Sequence, residues 1–267
     1  MKNNYCIIDS HCHIYPEKIV EKAVAATDAF YEVKSQNVGT TSDLLTKCKK
    51  AGVDHAIIQS VATSPKQVKS INEFIAKEVV AAEGFFTGLG TIHPESEDMR
   101  ADIEHLIELG LKGVKIHPDI QKFKLDDYRL LKAYELCEER NLPILMHTGD
   151  YRYDFSNPNR LLPILNTYTS LTVIGAHLGG WSIWEEACDK FAGLPNFFVD
   201  CSSSFYQLDK NIAKDIIKRY GADKVLFATD YPMWSAETEL EYFFDLGFGE
   251  DENRLILGEN AKMLFNI

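Results

Sequence analysis

Apolar, β-branched runs alternate with amphipathic stretches along the whole chain. Short apolar runs at 6–9, 56–59, 85–88, 113–116, 143–146, 172–175, 197–200 and 225–228 read as eight strands. They are nearly continuous in apolar residues, as parallel strands covered on both faces are. Past the first, they recur at about the spacing of a strand–helix unit. Between them the period changes to that of a helix, as with Ile103, Leu106 and Ile107, or Leu130, Leu131, Tyr134 and Cys137. The punctuation agrees. Ser64-Pro65-Lys66-Gln67 combines an N-cap, a first-turn proline and a capping-box glutamine. Asp209 caps a helix over 212–220, which Gly221 ends. Strands and helices joined by short polar links predict one parallel α/β domain over 1–267.

The longest interval between strands is 14–55. It predicts two helices, 17–31 and 42–51, joined by Lys34-Ser35-Gln36-Asn37-Val38-Gly39. Such a segment reads as an insertion over the strand ends and a lid. A chain of 267 residues with eight strands suits a (β/α)8 TIM barrel with a helical insertion after the first strand.

Composition removes several classes of partner. The net charge of −12 argues against nucleic acid and acidic membrane surfaces. No apolar run reaches membrane-spanning length. Met1-Lys2-Asn3-Asn4 leads straight into the first strand, with no hydrophobic signal segment. The six cysteines lack paired spacing and read as reduced thiols of a cytoplasmic protein.

Chemistry collects just after the strands. The first gives Asp9, His11 and His13; later ones give His93, Lys115, His117, His147, His177 and Asp230. In a barrel these ends share one rim, where active sites lie. Residues i and i+2 of a strand face the same way, so His11 and His13 form half of a metal site. By the same alternation Lys115 and His117 share a face, Cys12 points outward, and Asp9 points with His11. Asp9 would then enter the site directly or orient a histidine through its second ring nitrogen. Arg152 follows His147 and could grip a substrate carboxylate bidentately, although a surface arginine is the plainer reading. Trp181 either walls the site or packs as an ordinary helix residue. Asp200 and the serines after it line the pocket or form a loop.

Four motifs occur in order: His11-Cys12-His13, Met146-His147-Thr148-Gly149, Gly175-Ala176-His177-Leu178-Gly179-Gly180 and Ala228-Thr229-Asp230-Tyr231-Pro232. With the closing stretch 256–265, they resemble the amidohydrolase superfamily, and most of all its branch that includes aminocarboxymuconate-semialdehyde decarboxylase. The resemblance implies that His11, His13 and His147 are metal ligands. Asp230 would be a ligand or the base for metal-bound water, and His177 a catalytic residue beside the metal. It implies one divalent ion, zinc in the first place and manganese or another ion as alternatives. Lys115 and His117 would contact substrate, with a modified Lys115 bridging two metals as the other arrangement. Arg152 and Trp181 complete the candidate substrate contacts.

The leading functional expectation is hydrolysis of an amide, lactone or other ester in a small metabolite, anionic ones included, by metal-activated water. The alternative is non-oxidative decarboxylation of a small unsaturated or aromatic acid. A non-catalytic metal-binding protein is the third reading. The resemblance also allows a homodimer.

Overall fold

Inward-facing apolar residues from seven of the eight barrel positions fill the base of a closed parallel barrel; the fifth strand places Lys115 in register with Leu145 instead. In this computed structural model residues 5–267 are described; the sequence reading of Met1–Asn4 lies outside the described residues. The strands are β1 (Ile8–His13), β2 (His55–Gln59), β3 (Phe86–Gly88), β4 (Gly90–Thr91), β5 (Val114–Ile116), β6 (Ile144–Met146), β7 (Val173–Gly175), β8 (Phe197–Asp200) and β9 (Val225–Leu226). Each pairs in parallel with the next, except between β3 and β4. These two occupy one barrel position, interrupted at Leu89. There the chain changes partners: Leu89 N bonds Ile58 O, whereas Gly90 N bonds Gly113 O. The ring closes where Ser10 N donates to Phe227 O and Cys12 bridges Tyr231.

The interior is divided along its length. Ile8, Ile57, Leu89, Leu145, Ile174, Phe198 and Leu226 form an inner apolar cluster, joined by Ala261 and Phe265 of the C-terminal helix Asn260–Phe265. Burial of each large side chain there contributes about 1.5–3 kcal/mol. Further along the strands the inner residues become polar, and the candidate site begins.

β1 departs from the expected 6–9. It starts at Ile8 and runs through His13, because it pairs with β2 as far as Gln59. It also carries a bulge: Asp9 pairs with Ala56 but Cys12 with Ile58, so Ser10 and His11 together oppose one residue. The bulge breaks simple alternation. The Asp9 carboxylate does not reach the His11 ring; it accepts from His11 N at 3.3 Å, Thr229 N at 3.0 Å and Thr229 Oγ1 at 2.6 Å, tying β1 to the chain after β9.

The 14–55 segment contains α1 (Val20–Tyr31) and α2 (Thr41–Ala51). Only α1 covers the site. α2, capped by Thr40 through Asp43 N, packs on the helix Ala236–Asp245 and buries Leu44 and Cys48 in the outer core. It is thus the first helix of the barrel's outer ring. Ser64 N bonds Gln67 Oε1 at 3.1 Å as the predicted capping box requires, and a 3-10 turn there leads into α3 (Val68–Ala81). All six cysteines are free. Among the described residues no helix is long and apolar enough to cross a membrane.

Candidate metal and active site

His11, His13 and Asp230 converge at the polar end of the barrel. His11 Nε2 lies 3.1 Å from His13 Nε2 and 3.3 Å from Asp230 Oδ1, and His13 Nε2 lies 3.6 Å from the same oxygen. These donors form a group able to hold a metal ion. Around one ion with bonds of about 2.0–2.2 Å, neighbouring donors stand about 2.8–3.6 Å apart. The three separations fall in that range, and two imidazoles with a carboxylate suit a divalent cation.

The ring nitrogens are set by what lies behind them. His11 Nδ1 is 2.8 Å from Asp200 Oδ2, so Nδ1 carries the proton and Nε2 presents its lone pair. Burial, then the charge of Lys115, holds the pKa of His11 and His13 well below the usual histidine range. Both are therefore neutral near pH 7, as ligands must be. Asp230 Oδ2 accepts from Ser203 Oγ at 2.7 Å, and Trp234 Nε1 donates to that hydroxyl at 2.8 Å. Burial raises the Asp230 carboxyl, against the pull of Ser203 and Lys115.

Lys115 is fully buried, with Nζ 2.9 Å from His11 Nε2. Burial lowers its pKa, while Asp200 and Asp230 favour the charged form. His177 stacks on His11 at 5.4 Å between ring centroids. Its Nδ1 lies 3.1 Å from Ser202 O, an acceptor, so Nδ1 carries the hydrogen and Nε2 is free to accept. Burial lowers its pKa to about 4. Both His177 and Asp230 have φ of 59°, a left-handed conformation uncommon outside glycine and a frequent mark of functional positions.

The other expected residues are arranged differently. His147 is not among the three converging donors. Its ring lies parallel to His117 at 4.0 Å, its Nδ1 is 3.3 Å from the Tyr31 hydroxyl, and its Nε2 faces Asp119 Oδ2 at 3.6 Å. His117 Nδ1 accepts from Ile120 N, so its Nε2 carries the hydrogen and donates to Tyr31 Oη at 2.6 Å. Arg152 is no carboxylate grip. Its guanidinium is engaged by Asp150 at 2.9 and 2.7 Å and by Phe30 O at 2.7 Å, and it packs over the Phe30 and Trp181 rings. Trp181 walls the space behind Tyr31, donating to Tyr206 Oη at 3.2 Å.

Two residues gain importance. Asp200 was readable from alternation, because Phe198 two residues earlier lies in the inner cluster. Tyr31, the last residue of α1, carried no sequence signal that its hydroxyl would reach two histidines.

The comparisons agree on the fold. An uncharacterised TIM-barrel protein from Bordetella bronchiseptica superposes with a TM-score of 0.80 at 21% identity, covering 97% of this chain and 98% of that one. The 5-carboxyvanillate decarboxylase of Sphingomonas paucimobilis gives 0.75 at 18% identity, over 99% and 100% of the chains. A dihydroxybenzoic acid decarboxylase from Polaromonas, with bound manganese and the inhibitor 2-nitroresorcinol, gives 0.76 at 17%, over 98% and 97%. No curated protein matches the chain. The Amidohydrolase family model, Amidohydro_2, matches residues 8–267. With its (β/α)8 barrel and a candidate metal cluster at the strand ends, the chain belongs to the amidohydrolase superfamily, in the Amidohydro_2 branch, and has that family's catalytic fold.

Proposed function

We propose that the protein is a metal-dependent decarboxylase of a small hydroxylated aromatic or unsaturated acid, rather than the hydrolase that its motifs first suggest. The observation that carries this reading is Lys115, a buried amine beside the converging donors: burial lowers its pKa to about 8, with Asp200 and Asp230 opposing the shift, so it is still mostly charged near pH 7. A cation there suits a substrate that arrives as a carboxylate, whereas a neutral ester or amide would call on it only as its oxyanion develops. The likeness to two decarboxylase structures points the same way.

His11, His13 and Asp230 would hold one divalent ion, manganese or zinc. Bound there, the ion supplies a Lewis acid for substrate oxygens. Lys115 neutralises the carboxylate and fixes its position. His177 Nε2 accepts the proton of a substrate hydroxyl and returns it to the carbon that loses carbon dioxide. Net, a carboxylate and one proton become carbon dioxide and a C–H bond, with solvent restoring the hydroxyl proton. Tyr31 closes the site above His117 and His147, keeping water from that side.

The test is a panel of hydroxybenzoic acids and lactones on metal-loaded protein. Carbon dioxide release from acids, with one deuterium placed at the vacated carbon in heavy water, is expected. Proton release from lactones without carbon dioxide from any acid would return the protein to the hydrolases.

A further inference from the structure

The converging donors sit at one end of a cavity of 720 Å³. A one-ring acid held at Lys115 fills only its inner end. The remainder runs between α1 and the first turns of α3, and its walls change character. Ala23, Ala26 and Phe30 line one side, Val61, Ile71 and Phe74 the other. Ala23 and Ala26 lie three apart, hence on one face of α1, and their small side chains keep the groove open. Ile71 and Phe74 are half-buried: they pack on the core and line the cavity as well. Thr27, Thr63, Gln67 and Ser70 interrupt these apolar walls, Asp119 lies beside His147, and the exposed Lys22 and Lys122 also line the cavity.

We propose that the substrate is an acid with a linear apolar extension, an alkyl chain several carbons long, lying between α1 and α3 while the carboxyl end meets Lys115. This rests on the decarboxylase reading for the head group. The tail is argued independently, from the continuity of the apolar groove with the site and from its size. Water against these walls gains nothing, whereas each methylene placed there leaves water. The hydroxyls of Thr27 and Ser70 on these walls already donate to Ala23 O and Gln67 O, so a polar group on the tail gains little there.

The test uses metal-loaded protein and 4-alkyl-2-hydroxybenzoates from methyl to hexyl. Equilibrium affinity and kcat/KM are both expected to rise about two- to fourfold per methylene until the groove is filled. In Ala23→Trp the preference for hexyl over methyl should fall to near unity. Ile71→Ser, a milder change, should reduce the same ratio and guards against misfolding of the first variant. Short acids that lose carbon dioxide with no dependence on chain length would overturn the apolar-tail proposal and leave the decarboxylase standing. Affinity that climbs with chain length, with no carbon dioxide from any member, would support the groove and remove the decarboxylase. If no member binds, both fall.

Discussion

Lys115 Nζ lies 2.9 Å from His11 Nε2, the nitrogen that also faces His13 and Asp230. An ammonium and a divalent cation therefore compete for one lone pair. Lys115→Met is expected to bind metal more tightly than the parent protein, yet to show a KM for carboxylate substrates raised about ten- to hundredfold. Metal competition titrations and steady-state kinetics measure the two effects separately. An unchanged KM would take Lys115 out of carboxylate recognition.

Asp200 acts on the site through His11. Its Oδ2 lies 2.8 Å from His11 Nδ1, and its Oδ1 accepts from His177 N at 3.1 Å and from Ser202 N at 3.0 Å. Asp200→Asn can offer its amide where an acceptor is needed, freeing the His11 tautomer. Metal affinity should fall about 10–100-fold, measured against a chelator of known strength. Full retention of affinity would show that His11 is oriented by packing alone.

Tyr31→Phe removes one hydroxyl and little else. The lost contacts to His117 and His147 should lower kcat about tenfold, with metal content unchanged. A melting temperature near that of the parent would separate this from a general loosening of α1.

Glu239 gives a stability prediction away from the site. It lies on the helix Ala236–Asp245, is 1% exposed, and its Oε2 has no partner. Burial, with Asp9 and Asp230 adding to it, pushes its pKa from 4.5 up to about 8. The folded protein thus keeps a proton that the unfolded chain releases. Stability should be greatest near or below pH 4.5 as far as this group is concerned, and fall as the pH rises through about 8. Glu239→Gln should melt like the parent near the acid end of that window and several degrees higher at pH 8.5. Parallel melting curves across the range would refute the assignment.

Much of the fold was legible because buried parallel strands leave an unmistakable mark. Runs such as 143–146 and 172–175 have no solvent face to write polar residues on, and histidines at their ends stand out. What stayed hidden depended on register and on distant partners. Alternation put Asp9 beside His11, but one extra residue in β1 sends it to Thr229. The expected strand ends at 88, and nothing in the sequence marks Leu89 as the point where the barrel changes partners. Arg152 has the right chemistry to bind an anion, and only the fold reveals that Asp150, two residues earlier, already engages it. His147 is expected among the metal donors, but its ring lies along His117 with Nδ1 3.3 Å from the hydroxyl of Tyr31, 116 residues away.

Arg152 Nη1 holds Phe30 O, the carbonyl next to Tyr31, at 2.7 Å. The helix that walls the groove on its outer side therefore ends in the phenol that completes the inner one, pinned by a single guanidinium. Any outward displacement of α1 would break that pin and strip His117 and His147 of their partner in the same movement. One helix thus joins two duties: what widens the groove also alters the hydrogen bonding of two histidines beside the metal donors.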